Sequence, residues 1–312
     1  MSTLRQDDPF HLARKAQALH LRTGFIECLR HLLIQQEFLE VETPIRIPSP
    51  APEEHIEAFP SGNWFLQTSP EICMKRLLAA GYPRIFQFCK CFRADERGNR
   101  HLPEFSMLEW YVMHYDYRKL MDQCEDLLKS VCQDMGHSGK IVWQNKTIHL
   151  SLPWERITVA DAFSRYAPVR LPDALAGDQF DEVLVEHVEP NLGNDHPTFL
   201  CDYPAQMASL AKIKKDDPAV AERFELYIGG MEIANGFSEL TDAREQRRRF
   251  EEALEAQAAR HRARYAMPEP FLASLESLPP CAGIALGLDR MIMILADTAN
   301  IDDIIAFPPE TL

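Results

Sequence analysis

An α+β domain, built as an antiparallel sheet flanked by helices, is predicted for this 312-residue chain. Three observations predict it. Apolar residues recur at three- and four-residue intervals over positions 12–33, the spacing of an amphipathic helix. Short extended segments, bounded by proline and glycine, follow through the rest of the chain. Neither an internal repeat nor a low-complexity linker divides the sequence, so one domain spanning residues 1–312 is expected.

The elements are expected in this order. Residues 12–33 form the first helix, and 38–41 an extended segment. Pro44, Pro48, Pro50 and Pro52 then break regular structure, so 43–57 reads as a loop. Strands are expected at 64–68 and 84–92, with a helix at 70–80 between them. The stretch 117–218 mixes helices at 120–135 and 178–188 with proline-containing turns, and is expected as an insertion between two parts of one domain. Strands return at 224–228 and 232–234, followed by a charged helix at 242–265. A strand at 283–288 leads into a last helix at 289–295.

Bulk composition excludes several classes. No run approaches the roughly 18 uninterrupted apolar residues of a membrane span, and positions 1–11 lack the apolar core of a signal peptide, so no membrane association and a cytoplasmic location are expected. The net charge of −14 argues against a chain whose main task is to grip nucleic acid. Of the eight cysteines only Cys89-Lys90-Cys91 lie close together, with a gap that suits neither a zinc knuckle nor a redox pair; reduced thiols are expected.

Three segments carry chemistry. The first is the helix and proline turn of 24–44, which alone is also an ordinary structural unit. The second contains Phe92-Arg93-Ala94-Asp95-Glu96 and Arg100-His101-Leu102-Pro103-Glu104-Phe105, then Glu109-Trp110-Tyr111. A loop between strands there can present Arg93 to an α-phosphate and Arg100 or His101 to the outer phosphates, because a guanidinium suits bidentate phosphate contact; alone, it also reads as a surface hairpin with ordinary ion pairs. The third is Gly283-Ile284-Ala285-Leu286-Gly287-Leu288-Asp289-Arg290, where glycines admit close approach of a ligand or simply of packed backbone.

In their order and spacing these segments resemble motifs 1, 2 and 3 of the class II aminoacyl-tRNA synthetases. Ser69-Pro70-Glu71, Pro103-Glu104-Phe105 and Glu232-Ile233-Ala234-Asn235-Gly236-Phe237-Ser238-Glu239-Leu240 are similar to the lysyl-tRNA synthetase branch. The resemblance implies ATP and Mg²⁺ as substrate and cofactor, with Arg93 and Arg290 as the catalytic cations. It implies an ATP site of Arg93, Ala94, Asp95, Arg100, His101, Phe105, Glu232, Ile233, Gly287 and Arg290, and a magnesium site on Glu232 and Glu239. An amino-acid site of Ser69, Pro70, Glu71, Glu109, Tyr111, Glu239 and Ala285 is implied as well. The residues agree with this on physical grounds, since several glutamates and a phenol can satisfy two ammonium groups of one substrate.

The small anticodon-reading barrel of such synthetases has no counterpart in the sequence. The chain thereby resembles a family of lysyl-tRNA synthetase paralogues, the elongation factor P lysyltransferases. That family implies lysine, preferentially (R)-β-lysine, as substrate and elongation factor P as protein acceptor, without anticodon-dependent tRNA binding; the alternatives are a truncated lysyl-tRNA synthetase that charges tRNA and a non-catalytic regulatory paralogue. Ala285 stands where tRNA-charging relatives usually have glycine, and Leu102 where they commonly have an ATP-contacting asparagine. Motif 1 of class II enzymes typically forms a dimer interface, so a homodimer with Phe25, Ile26, Leu29 and Pro44 at its contact is expected.

Overall fold

In the computed structural model, which describes residues 9–137, 139–260 and 265–312, the chain opens on α1 (Pro9–Arg14) and α2 (Ala16–Gln35). A single helix was expected here. The break falls at Lys15, a buried residue whose ammonium donates to the carbonyls of Asp302 (2.8 Å) and Ile305 (2.6 Å) and so ties the junction to the C-terminal segment. On α2, Phe25, Leu29 and Leu33 recur every fourth position and are wholly buried.

Short strands β1 (Leu39–Glu40), β2 (Arg46–Ile47), β3 (Pro60–Ser61) and β4 (Trp64–Leu66) follow. The stretch expected as loop thus contributes to a three-stranded sheet, in the order β2-β4-β3. Next come α3 (Glu71–Ala79), β5 (Arg84–Phe92), β6 (Glu104–Met113) and α4 (Tyr117–Asp134), whose N-cap Asp116 accepts from the Lys119 amide at 2.9 Å.

The middle of the chain adds β7 (Lys140–Trp143), β8 (Lys146–His149), β9 (Glu155–Thr158), α5 (Val159–Tyr166), α6 (Leu171–Ala176), α7 (Phe180–Val183) and β10 (Thr198–Pro204). Of these, the helix at 178–188 was expected whole; it becomes a wider π-turn from Leu184 to Val188. The chain closes with β11 (Val220–Ile228), β12 (Met231–Ser238), α8 (Ala243–Ala259), α9 (Glu269–Ser274), β13 (Cys281–Gly287) and α10 (Leu288–Leu295). Residues 261–264 of the expected helix at 242–265 lie outside the described residues.

One eight-stranded sheet, ordered β1-β5-β6-β13-β12-β11-β10-β9, organises the fold. Its six central strands are antiparallel, as expected. Both edges are not: β1 pairs with β5 and β9 with β10 in parallel. A parallel neighbour needs a crossover, and α3 supplies one at the first edge while α5–α7 supply the other. Segment 117–218 therefore contributes two strands to the central sheet, and α4 packs Leu120, Cys124, Leu127, Leu128 and Val131 into the main core.

The two faces of the sheet differ. Leu108, Trp110 and Val112 of β6, Ala282, Ile284 and Leu286 of β13, and Phe224, Leu226 and Ile228 of β11 point to one side, where α2, α4 and α10 cover them. Alternate residues of the same strands point to the other side, where α3, α8 and α9 form only a partial wall around a cluster of Ile72, Met74, Leu78, Phe250 and Phe271. All eight cysteines are free, and among the described residues no helix is long and apolar enough to cross a membrane.

Candidate active site

The partly walled face holds a cavity of ≈ 1020 Å³. Strand register fixes its floor. Directly opposed residues of antiparallel strands share a face, so Met107–Gly287 makes one row, Glu109–Ala285–Asn235 a second, and Tyr111–Gly283–Phe237–Arg223 a third. From Phe105 to Tyr111 is six residues of strand, about 20 Å at the usual rise. One long trough thus has two distinct ends.

Cations collect at the Phe105 end. Arg93, just beyond β5, is fixed by its amide donating to Pro103 O at 2.9 Å, and its guanidinium lies over the Phe105 ring at 5.1 Å. Among the described residues a loose ion pair with Glu96 (3.6 Å) is the one salt bridge of this charge, and Arg93 Nε is buried with no acceptor. Arg290, in the first turn of α10, donates from Nη1 to the Glu232 carbonyl and to Oε2, both at 2.9 Å, while its Nη2 meets His101 Nε2. Burial and the Arg290 charge lower the His101 pKa, so the ring is neutral near pH 7. Beneath them Asp289, itself paired with Arg22, accepts from the Ser106 amide at 2.8 Å and locks α10 to β6.

Carboxyl groups collect at the other end. Ser69 donates to Glu109 Oε1 at 2.5 Å and the Tyr111 hydroxyl to Oε2 at 2.8 Å, while the Glu71 amide donates to Ser69 Oγ at 3.0 Å. Burial first, then the neighbouring Glu71 charge, push the Glu109 carboxyl up to about 7 despite those donors. Glu71 opens α3, and one turn later Lys75 pairs with both Glu71 and Glu239. Burial also raises Glu239, to about 8, against the opposing pull of Lys75.

Expected site residues fall into two groups. Ser69, Glu71, Arg93, Arg100, His101, Phe105, Glu109, Tyr111, Glu232, Ile233, Ala285, Gly287 and Arg290 all line the one cavity. Pro70, Ala94, Asp95 and Glu239 do not. Pro70 is buried as the N-cap of α3; Ala94 binds its loop to Glu57 O (2.8 Å); Asp95 is an exposed turn residue at φ 65°. Leu102, for which an ATP contact was in question, is 3 % exposed; it packs into the main core and also borders the cavity.

A magnesium site shared by Glu232 and Glu239 is corrected by the strand that carries them. Glu232 stands at the start of β12 and Glu239 just past its end, about 23 Å apart at the ordinary strand rise. One is paired with Arg290 and the other with Lys75. Among the described residues no group of three or more His, Cys, Asp or Glu could hold a metal ion. The expected dimer contacts are corrected in part as well: Phe25 and Leu29 face the core of their own chain.

Sequence reading missed Lys75, Asn235 and Arg223. The first shows only as a Glu-x-x-x-Lys spacing on a helix. The other two show as polar residues in period-two alternation on β11 and β12, a pattern that marks a second, polar face.

The two glycines of the floor differ. A Cβ at Gly287 would meet nothing nearer than 3.7 Å, so the protein itself tolerates a methyl there. Gly287→Ala is expected to fold with an unchanged melting temperature yet raise the KM for ATP several-fold, read by steady-state kinetics; an unchanged KM would show that no ligand passes close to this position.

Arg93 and Arg290 stand toward one end of this trough, and Glu71 and Glu109 toward the other. The model for tRNA synthetases class II (D, K and N) matches residues 10–311, and the chain belongs to this family of ATP-dependent ligases. Within it, the chain is 40% identical over 306 residues to the elongation factor P–(R)-β-lysine ligase of Pectobacterium carotovorum, covering 93% of this chain and 94% of that protein. It is 37% identical over 307 residues to the ligase of the same name from Hamiltonella defensa (93% and 94%), and 38% identical over 304 to that of Salmonella gallinarum (92% and 93%).

Proposed function

We propose that this chain activates lysine, preferentially (R)-β-lysine, as its adenylate at the expense of ATP and passes the lysyl group to the ε-amine of a lysine on elongation factor P. The observation that carries it is the polarity of a single trough, with Arg93 and Arg290 toward one end and Glu71, Glu109 and Tyr111 toward the other.

In the first step the substrate carboxylate oxygen attacks the α-phosphorus, and the bond to pyrophosphate breaks. Arg93, free of a tight partner, meets the charge that develops on the α-phosphate. Arg290 and Arg100 receive the outgoing pyrophosphate, and Phe105 offers a ring to the base. Glu232, the carboxylate beside Arg290, would supply an oxygen ligand to a magnesium ion, which would neutralise phosphate charge there; such ions are commonly held by one or two carboxylates plus phosphate. In the second step a neutral amine nitrogen attacks the acyl carbonyl, AMP leaves and the amine sheds its proton. Glu109 and Glu71 hold the substrate's ammonium groups, and Ala285 sets a methyl against its backbone. Catalysis is mostly positioning.

A homodimer is part of this reading. Its contact is the exposed apolar group Ile34, Leu39 and Ile45 beside Pro44, near the sheet edge at β1. Sedimentation velocity returning only monomer at micromolar concentration would remove it.

The test is ATP–pyrophosphate exchange with α-lysine, (R)-β-lysine, arginine and glutamate, followed by mass spectrometry of elongation factor P. Exchange with the lysines and a one-lysyl mass gain on one residue are expected. Transfer to tRNA alone would overturn the acceptor.

A pH dependence follows from Glu109. It must be ionised to take an ammonium, and it gains a proton as pH falls through about 7. The KM for lysine is therefore expected to fall as pH rises from about 6 to 8, while the ATP KM changes less; a flat lysine KM across that range would remove Glu109 from the contact.

A further inference from the structure

The loop between β2 and β3 borders the trough, and its side chains Glu53, Glu54 and His55 part company there. Glu54 and His55 meet the Arg260 guanidinium at the end of α8, at 2.6 and 3.0 Å. Glu53 turns instead to Ser209, whose hydroxyl donates to Oε2 at 3.4 Å. Both sides of this contact are fixed through the backbone. The buried Gln257 amide donates to Glu53 O (2.6 Å) and Ile56 O (3.2 Å), while Arg249 donates to Ser209 O and Ala211 O, both at 2.8 Å. Ser209 itself holds a φ of 47°, uncommon for a residue with a Cβ. Ser209 is exposed and Glu53 half-buried, so the pair stands at the mouth of the cavity.

In the reading above, Arg93 meets the α-phosphate and Glu71 a substrate ammonium, so the acyl–phosphate link of the adenylate lies between them. Glu53 is close enough to feel the charges of both, with Arg223 as a third neighbour. Its carboxyl therefore stands alongside the reacting carbonyl, on the side open to solvent. Burial first, then Glu71, lift its proton affinity above that of an ordinary carboxylate, while Arg93, Arg223 and the Ser209 hydroxyl pull the other way. A carboxylate raised toward neutrality is a better acceptor of a proton from nitrogen. Glu71, Glu109 and Glu232 already hold ligands in that reading, whereas Glu53 has no task in the activation step.

Resting on the transfer to a lysine amine proposed above, we infer that Glu53, at the mouth of the trough beside Ser209, is the catalytic base of that second step. The lone pair of the neutral ε-amine forms the new C–N bond. The bond from the carbonyl carbon to the phosphate oxygen breaks, and its electron pair leaves with AMP. The surplus proton on the nitrogen passes to the Glu53 carboxylate, which releases it to water at the mouth. Ser209 orients the carboxylate through Oε2, which leaves Oε1 to take the proton.

Two variants of the full chain test this, each read by lysine-dependent ATP–pyrophosphate exchange and by the single-turnover rate of lysyl transfer to saturating elongation factor P. Glu53→Gln keeps the shape and removes the base, and is expected to lower the ratio of transfer to exchange by about a hundredfold or more, the usual contribution of a general base. Glu53→Ala is expected to lose the same step and to regain part of it when formate supplies a carboxylate in the space left, which reads the same proton transfer if Glu53→Gln does not fold. A ratio equal to the parent's, a loss confined to the KM for elongation factor P, or a Glu53→Ala protein indifferent to formate would each overturn the inference. A parent that exchanges with no lysine isomer, or that transfers to tRNA alone, overturns the proposed function instead, so the two failures are distinguishable.

Discussion

Arg93→Ala is expected to lower lysine-dependent ATP–pyrophosphate exchange by about 10²–10³-fold, the loss typical of removing one preorganised donor from a developing charge, with a melting temperature close to that of the parent. The two halves of this expectation rest on different observations. Arg93 holds little of the fold together: among the described residues its guanidinium has a long ion pair to Glu96 (3.6 Å) and the Phe105 ring at 5.1 Å, and Nε is buried without an acceptor. An unsatisfied buried donor costs stability, so removing it offsets the loss of the ring contact and the net effect on folding is small. Arg93→Lys restores the charge without the planar fork, and is expected to recover only part of the rate. Activity within a fewfold of the parent in Arg93→Ala would mean that the triphosphate lies elsewhere. Arg290 is a less clean probe, because its removal strands Glu232 and His101.

The second large effect is expected at Gly283. A Cβ there would lie 2.2 Å from the Tyr111 ring and 2.7 Å from Glu239 Oε1. Neither neighbour has room to retreat: Tyr111 is 3 % exposed and bonded to Glu109, and Glu239 is held by Lys75. Gly283→Ala is expected to cost ~1–3 kcal/mol, the range for overpacking a filled core. It should also raise the lysine KM by tenfold or more, as Tyr111 and Glu109 shift together. Thermal melts and steady-state kinetics check both parts. A stable Gly283→Ala protein with parental lysine KM would show that this end of the trough does not hold the amino acid. The contrast with Gly287→Ala, at which the protein has room for a methyl, separates a glycine required by packing from one required by a ligand.

Much of this site was legible in the chain. The strand at 84–92, the charged loop and second strand that follow it up to 111, and the strand at 283–288 leading into the helix at 289–295 stand out because local spacing, charge and glycine placement mark them. What spacing could not mark was how the strands pair. Residues 223 and 111 meet on one floor only because β12 and β13 lie between their strands in a particular register, and a slip of one residue would turn either side chain to the opposite face. The parallel edges escaped for the same reason, since a crossover leaves no mark at the strand it leads to. β9 and β10 went unseen as strands because they are short or irregular and sit among prolines and acidic residues.

By itself the sequence determined the chemical groups and their order: two arginines, a set of glutamates, a phenol and two glycines in a ligase-family pattern. The tertiary structure decided which of these act together. It placed Arg93 and Arg290 on one cavity, separated Glu232 from Glu239 by the length of a strand, turned Phe25 and Leu29 inward, and set Lys75 against two carboxylates. The physical reason is that residue type is a local property, whereas charge pairing and burial depend on contacts between segments far apart in the chain, which only the folded sheet brings within a few ångströms of each other.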